Sequence, residues 1–293
     1  MIVVIGEILA DVIGKDCGDK LDLSAYIGGA PFNVAVNAKQ AGAKVGFIGR
    51  VGKDPVGAFL KRNAARANLD FSDIQTDAVR NTTIAFVTLT DGERDFAFLR
   101  NGTADYFIDV KNLDLNSFED LNIVHLGSLM LSEKEGVLLA KDVADKVKLG
   151  GKLLSFDVNF RTDLYEDFAA AESAYAPFIE KADILKFSND EILAFTGASD
   201  IDAAIQKIYK KGALLLITLG AKGSMYVYND LRGVIPSTPV KPVDTTGAGD
   251  AFFGAVLANL DGKPLNKRTI EAAVSAGNRS GARATQFLGA VKF

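Results

Sequence analysis

Short β-branched and leucine runs alternate along this chain with stretches whose apolar residues recur at helical spacing. Ile2–Ile5, Val45–Ile48, Ile123–Leu126, Leu153–Phe156, Ile184–Phe187, Leu214–Leu219 and Met225–Tyr228 read as strands. Several are apolar without a break, the pattern of strands covered on both faces. Between them, Pro31–Gln40, Pro55–Ala67, Ser132–Leu149, Ala203–Lys211, Ala251–Leu260 and Lys267–Ala282 read as helices. The second of these has a clear start, with Asp54 as N-cap and Pro55 in the first helical position. Strand–helix alternation of this kind predicts a mainly parallel central sheet with helices on both faces.

One region breaks the alternation. Asn81–Asp105 contains two strand-like runs around Asp91-Gly92, a hairpin signal, with no helix between them. Together with the stretch around Ile13–Ile27 it predicts a small antiparallel β lid beside the main sheet, built from segments of about 12–27 and 81–105. No linker, repeat or low-complexity run divides the chain, so residues 1–293 are expected to form one α/β domain.

Composition narrows the function classes. The chain has 293 residues, a net charge of −4 and a pI near 5.2, with no long basic block, which argues against a nucleic-acid partner. A single cysteine, Cys17, excludes an intramolecular disulfide and a Cys-rich zinc site. A single histidine, His125, excludes a His-paired metal centre. The first residues, MIVVIGEILADV, carry Glu7 and Asp11 and no basic start, so they read as a strand rather than a signal peptide. The longest apolar run, Ala213 to Leu219, is too short to span a bilayer. No membrane partner is expected, and a reducing cytoplasm is the expected location.

The candidate chemistry sits in KPVDTTGAGDAFFGAVLANL, Lys241 to Leu260. Gly247 and Gly249 allow close backbone approach to a ligand, and the helix that follows presents unpaired N–H groups, an anion site. Asp250 lies in the first turn, where the helix field favours its ionised form. A carboxylate beside an anion hole suits proton acceptance from a hydroxyl while phosphoryl charge develops nearby. An isolated G-A-G-D read alone would be a capped tight turn. The flanking Asp-Thr-Thr and the apolar helix make the stretch more specific.

This stretch resembles the C-terminal signature of the ribokinase (PfkB-type) carbohydrate kinases, and the likeness extends over nearly the whole chain, most closely to the fructokinase members. The resemblance implies a ribokinase-like fold, with Asp250 as catalytic base and Gly247, Ala248 and Gly249 as the anion hole. GEILAD resembles the family's first strand and places Asp11 on substrate hydroxyls. GGAPFNVAVNAKQAGAKVGFIGRVGKDPVG, Gly28 to Gly57, resembles the N-terminal signature, with Gly28 and Gly29 as a hinge and Asn33 on the sugar. FDVNFR resembles the D-x-N-x-R segment and turns Asp157, Asn159 and Arg161 toward phosphate and substrate; a guanidinium at Arg161 would bridge two phosphate oxygens. Arg100, in FLRNGTAD, is expected on the lid side of the sugar.

KFSNDEILAFTG resembles the family's magnesium-linked region, with Glu191 as the glutamate and Ser188 where an asparagine usually stands; Asn189 is one residue out of register. Ser188 and Glu191 also form a capping-box pattern, and both roles fit together. Lys186, Thr218, Gly220, Gly223, Gly249 and Asn278 are implied at the nucleotide, and Asp244 and Thr246 at a monovalent cation such as K⁺. The implied reaction is ATP-dependent phosphorylation of a sugar with Mg²⁺, D-fructose leading. Ribose, 2-keto-3-deoxygluconate and aminoimidazole riboside stay open as acceptors. A homodimer through the lid is a further expectation.

Other classes fit less well. Every Gly-Lys lacks the following Ser or Thr of a P-loop, and the first strand does not lead into G-x-G-x-x-G, which disfavours a hydride-transfer enzyme. A non-catalytic sugar-binding regulator on the same fold stays open, although an intact Asp250 and anion loop count against it.

Overall fold

The computed structural model describes residues 1–90, 93–161 and 164–293, with the backbone alone at 15–16, 87–90 and 93–96. A nine-stranded sheet has the order β13-β12-β11-β10-β9-β8-β1-β4-β5. Its strands are β1 (Ile2–Ile5), β4 (Val45–Gly52), β5 (Phe71–Asp77), β8 (Ile123–Leu126), β9 (Leu153–Asp157), β10 (Ile184–Ser188), β11 (Leu214–Thr218), β12 (Ser224–Tyr228) and β13 (Leu231–Ile235). From β11 to β5 every neighbouring pair is parallel; β12 and β13 extend the sheet antiparallel.

Strand residues sort by parity into two cores. Ile2 and Val4 pack with helices α1 (Ala30–Gln40), α2 (Pro55–Ala64), α7 (Ala248–Leu260) and α8 (Lys267–Ala284). Val3 and Ile5 pack with α3 (Lys134–Leu149), α4 (Phe168–Lys181), α5 (Asn189–Thr196) and α6 (Ile201–Ile208). This is the period-2 consequence of a sheet covered on both faces, and it explains the unbroken apolar strands.

Four further strands, β2 (Leu9–Asp16), β3 (Leu21–Gly28), β6 (Ile84–Thr90) and β7 (Glu93–Leu99), form a second sheet in the order β3-β2-β6-β7. The β6–β7 pair is antiparallel as expected; the Asp91-Gly92 turn signal lies outside the described residues. The sheet is mixed rather than wholly antiparallel, because β2 and β6 run parallel. They belong to separate excursions from the main sheet, divided by α1, β4, α2 and β5, so no tight turn imposes reversal. The root of this sheet is tied down by Asp54: its carboxylate caps α2 through the Gly57 N–H at 2.7 Å and accepts the Thr82 N–H at 2.7 Å.

Three elements fell outside the sequence reading. Helix α4 runs through Pro177, which breaks the helical signal. Strands β5, FSDIQTD, and β13, LRGVI, lie at the two sheet edges, half in solvent, and lack the apolar run that marks the central strands.

Candidate active site

The carboxyl ends of the parallel strands open into a cavity of about 300 Å³. The end of β1 supplies Glu7, β9 supplies Asp157 and the following loop Asn159 and Arg161, and β10 supplies Lys186 and Ser188. The second sheet covers it with Leu9, Asp11 and Phe98. α1 contributes Asn33, and the start of α7 contributes Gly249 and Asp250. A sheet with mainly parallel strands places ligands at this edge.

The start of α7 is shaped by Gly247, the N-cap, at φ 73°. A Cβ there would stand 2.8 Å from Ala290, so the position excludes side chains on both conformation and space. The first-turn N–H groups beyond it have no intrahelical carbonyls. Asp244 holds the loop from behind: its carboxylate, buried, accepts from Thr246 N–H at 2.8 Å and Gly289 N–H at 2.9 Å. Asp244 thus shapes the loop, while Thr246 lines the cavity.

Asp250 accepts a 2.8 Å hydrogen bond from Asn33 Nδ2. Burial pushes its carboxyl above the ordinary aspartate range, against the lowering pull of Asn33, Lys186 and Arg161. The helix field therefore does not decide its titration; desolvation does. An aspartate raised in this way is a stronger base and better matched to neutral pH.

Beneath the loop at the start of α7 lies a buried ion pair. Lys186 Nζ donates to both oxygens of Asp157 at 2.8 Å. A Cβ on Gly249 would stand 3.3 Å from that ammonium, so the glycine lets the cation come up against the loop. Burial pushes the Asp157 carboxyl up, against the pull of Lys186, whereas Asp157, Glu191 and Asp250 together hold the Lys186 charge. Lys186, expected at the nucleotide, lines the Asp250 cavity beside Gly249, held there by Asp157. Glu191 is a cap as the sequence suggested: Oε2 takes the Ser188 N–H at 2.6 Å and Oε1 the Phe160 N–H at 3.2 Å, while the side chain also faces the cavity. Asn189 bonds Asp190 and stays outside it. Asn159 adopts φ 36°, a left-handed conformation uncommon outside glycine, at the cavity wall.

A second, more apolar cleft of about 450 Å³ adjoins the first. Thr218, Gly220, Gly223, Ala248, Gly249, Phe252 and Asn278 line it, together with the Ser237–Val240 segment that sequence reasoning missed. Thr218 and Gly249 belong to both spaces. Gly223, at φ 104°, leaves no room for a Cβ, which would meet the Ile235 carbonyl at 2.1 Å. Asn278 is not a solvated helix residue: it is buried, accepting from Ser224 Oγ at 2.8 Å and donating to the Ile235 carbonyl at 2.8 Å, and so fixes the sheet edge against α8.

Two expected sugar residues stand elsewhere. Arg100 is buried away from the cavity, with Nε and Nη2 each 2.9 Å from Asp105 Oδ2 and Nη1 on Ser132 Oγ. A buried guanidinium is stabilised by such a partner, and Asp105 follows it closely enough to be one. Gly28 does not line the cavity; its missing side chain makes room for Asp11, whose Oδ2 would lie 2.1 Å from a Cβ. Gly29 does line it, at φ 105°, against the Glu7 carbonyl. Glu7, Leu9, Phe98 and Leu129 were not foreseen. A signal existed for Glu7 alone, a carboxylate directly after the first central strand.

Among the described residues no group of three or more His, Cys, Asp or Glu side chains is arranged to hold a metal ion, and no helix is long and apolar enough to cross a membrane. The family model for pfkB carbohydrate kinases matches residues 1–292. Fructokinase-1 of Oryza sativa subsp. japonica is 34% identical over 304 residues, covering 99% of this chain and 93% of the relative. The fructokinase structure from Vibrio cholerae O395 with fructose, ADP and a calcium ion bound superposes with a TM-score of 0.89 at 30% identity, over 99% of this chain and 94% of that one. The aminoimidazole riboside kinase from Salmonella enterica has a TM-score of 0.84 at 26% identity, over 98% and 93%. With the glycine loop, its aspartate and the two adjoining spaces in place, this chain belongs to the pfkB family of carbohydrate kinases and is an ATP-dependent sugar kinase.

Proposed function

We propose that this protein transfers the γ-phosphoryl group of ATP to the 6-hydroxyl of D-fructose, giving fructose 6-phosphate and ADP. The observation that carries the reading is the meeting of the two spaces at Gly249: the polar cavity with Asp250 takes the acceptor, and the apolar cleft takes the nucleotide. Asp250 accepts the proton of the 6-hydroxyl as the new O–P bond forms and the bond to the β-phosphate oxygen breaks. N–H groups at the start of α7 carry the charge on the transferring group, and Lys186 and Arg161 add positive charge on the same side. Asn33 orients the carboxylate toward the acceptor.

The donor set fits a divalent ion that arrives with its nucleotide rather than one caged by the protein. Glu191 faces the cavity with both oxygens already accepting backbone N–H groups, so it would reach such an ion through water. Mg²⁺, when bound, supplies neutralisation of phosphate charge. A monovalent effect rests on Asp244 and Thr246 at the loop entrance; equal rates in potassium-free buffer would remove it.

A neutral sugar is favoured over an acidic one. Glu7, Asp11, Asp157, Glu191 and Asp250 line the cavity against Arg161 and Lys186, and Lys186 is committed to Asp157. The rice relative and the Vibrio structure carry the fructokinase name, which supports fructose over aminoimidazole riboside. The mechanism is tested with Asp250→Asn: kcat falls by about 10²–10⁴, the range of general-base catalysis, with sugar affinity largely kept, and chelation of divalent ions abolishes wild-type turnover. Near wild-type turnover in Asp250→Asn refutes the assignment of the base.

A further inference from the structure

Glu7 stands in the acceptor cavity with no role in the chemistry above. It is 2% exposed, and its Oε2 has no hydrogen-bond partner. The fold makes room for it on two sides: a Cβ on Gly127 would stand 2.8 Å from Oε2, and one on Gly29 would stand 2.6 Å from the Glu7 carbonyl. A buried polar atom without a partner costs free energy, and a hydrogen-bonding group brought by a ligand would relieve that cost. Asn33 repeats the pattern in the same cavity, with Nδ2 given to Asp250 and Oδ1 buried without a partner.

We propose that Glu7 is a specificity-determining residue of the acceptor site, hydrogen-bonding a hydroxyl of the bound sugar through Oε2. This rests on the sugar-kinase reading given above. The surroundings define the form that makes the bond. Asp105 and Arg100 face Glu7 from the segment after β7, and Asp250 faces it from α7. Burial dominates and pushes the Glu7 carboxyl up to about 8. Burial thus favours the neutral carboxyl, which both donates and accepts, as a sugar hydroxyl does. A donor beside the base Asp250 also avoids a second negative charge next to the reacting hydroxyl. Sites that hydrogen-bond a substrate hydroxyl reject analogues lacking it strongly, because the protein group is left buried and unpaired.

The experiment uses the purified full-length protein with ATP and D-fructose. Glu7→Leu keeps a similar volume without polar atoms; Glu7→Gln restores a donor and an acceptor on the same frame. Glu7→Leu is expected to raise the sugar KM at least tenfold with the ATP KM within twofold, and Glu7→Gln to recover most of that loss. In the wild type the sugar KM is expected to rise above pH 8, as Glu7 loses its proton, and in Glu7→Gln that rise is absent. A folded Glu7→Leu with a sugar KM within twofold of wild type overturns the proposal, as does an equal rise in both KM values. Should Glu7→Leu not fold, the pH profiles decide: superimposable curves for wild type and Glu7→Gln overturn it. Failure of the fructose reading has a different sign, a wild-type enzyme that prefers another sugar, on which the same variants are then measured.

Discussion

Asp250 and Asn33 act as one unit, 217 residues apart in sequence and 2.8 Å apart in space. As the proposed base, Asp250 must be ionised to accept the proton, so the rate is expected to fall as pH drops through its raised pKa. The Asn33 bond lowers that pKa against burial. Asn33→Ala is therefore expected to move the acid limb of the kcat profile to higher pH, besides raising the sugar KM; an acid limb displaced to lower pH contradicts the electrostatic account. Linkage has the opposite sign for stability. A carboxyl raised in the folded state stabilises fully below its unfolded pKa and loses that contribution as pH rises through the folded value, so the ionised base is held at some expense to the fold. Asp250 and its glycines were legible because a glycine loop before an apolar helix carries a sequence mark, and Asp11, which lies within β2, only through the family resemblance. The Asn33 bond, the Lys186–Asp157 pair and the burial of Arg100 were not, since each joins distant segments whose approach only the fold determines.

At the scale of elements, the start of α7 tolerates little change. Gly247 combines a left-handed backbone with a 2.8 Å approach to Ala290. Gly247→Ala is expected to lower stability by about 1–2 kcal/mol from the backbone alone, with the Ala290 clash adding to it, and to lower kcat by misplacing the anion loop. Thermal melting and steady-state rates check both; an unchanged kcat argues that the loop does not hold the transferring phosphate. The central strands and most helices were legible from their apolar periodicity. Edge strands β5 and β13 and the proline-bearing α4 were not, since their packing comes from neighbours rather than from their own pattern. The parallel β2–β6 pairing was equally hidden, because a hairpin signal specifies its own two strands and says nothing of a third.

For the whole molecule, the second sheet leaves apolar side chains in solvent, Leu21 at 58%, Leu23 at 50% and Leu99 at 58%, and its edge strands are β3 and β7. A second copy of the chain is the partner we propose for this face, giving a homodimer through the lid. Light scattering is expected to show twice the chain mass of 31.2 kDa, and a monomer at all working concentrations contradicts it. The identity of the acceptor is tested most directly by kcat/KM with ATP across D-fructose, glucose, ribose, 2-keto-3-deoxygluconate and aminoimidazole riboside. D-Fructose is expected at the head of the series, with the phosphate on its 6-hydroxyl; a tenfold advantage for any other acceptor contradicts the assignment of fructose.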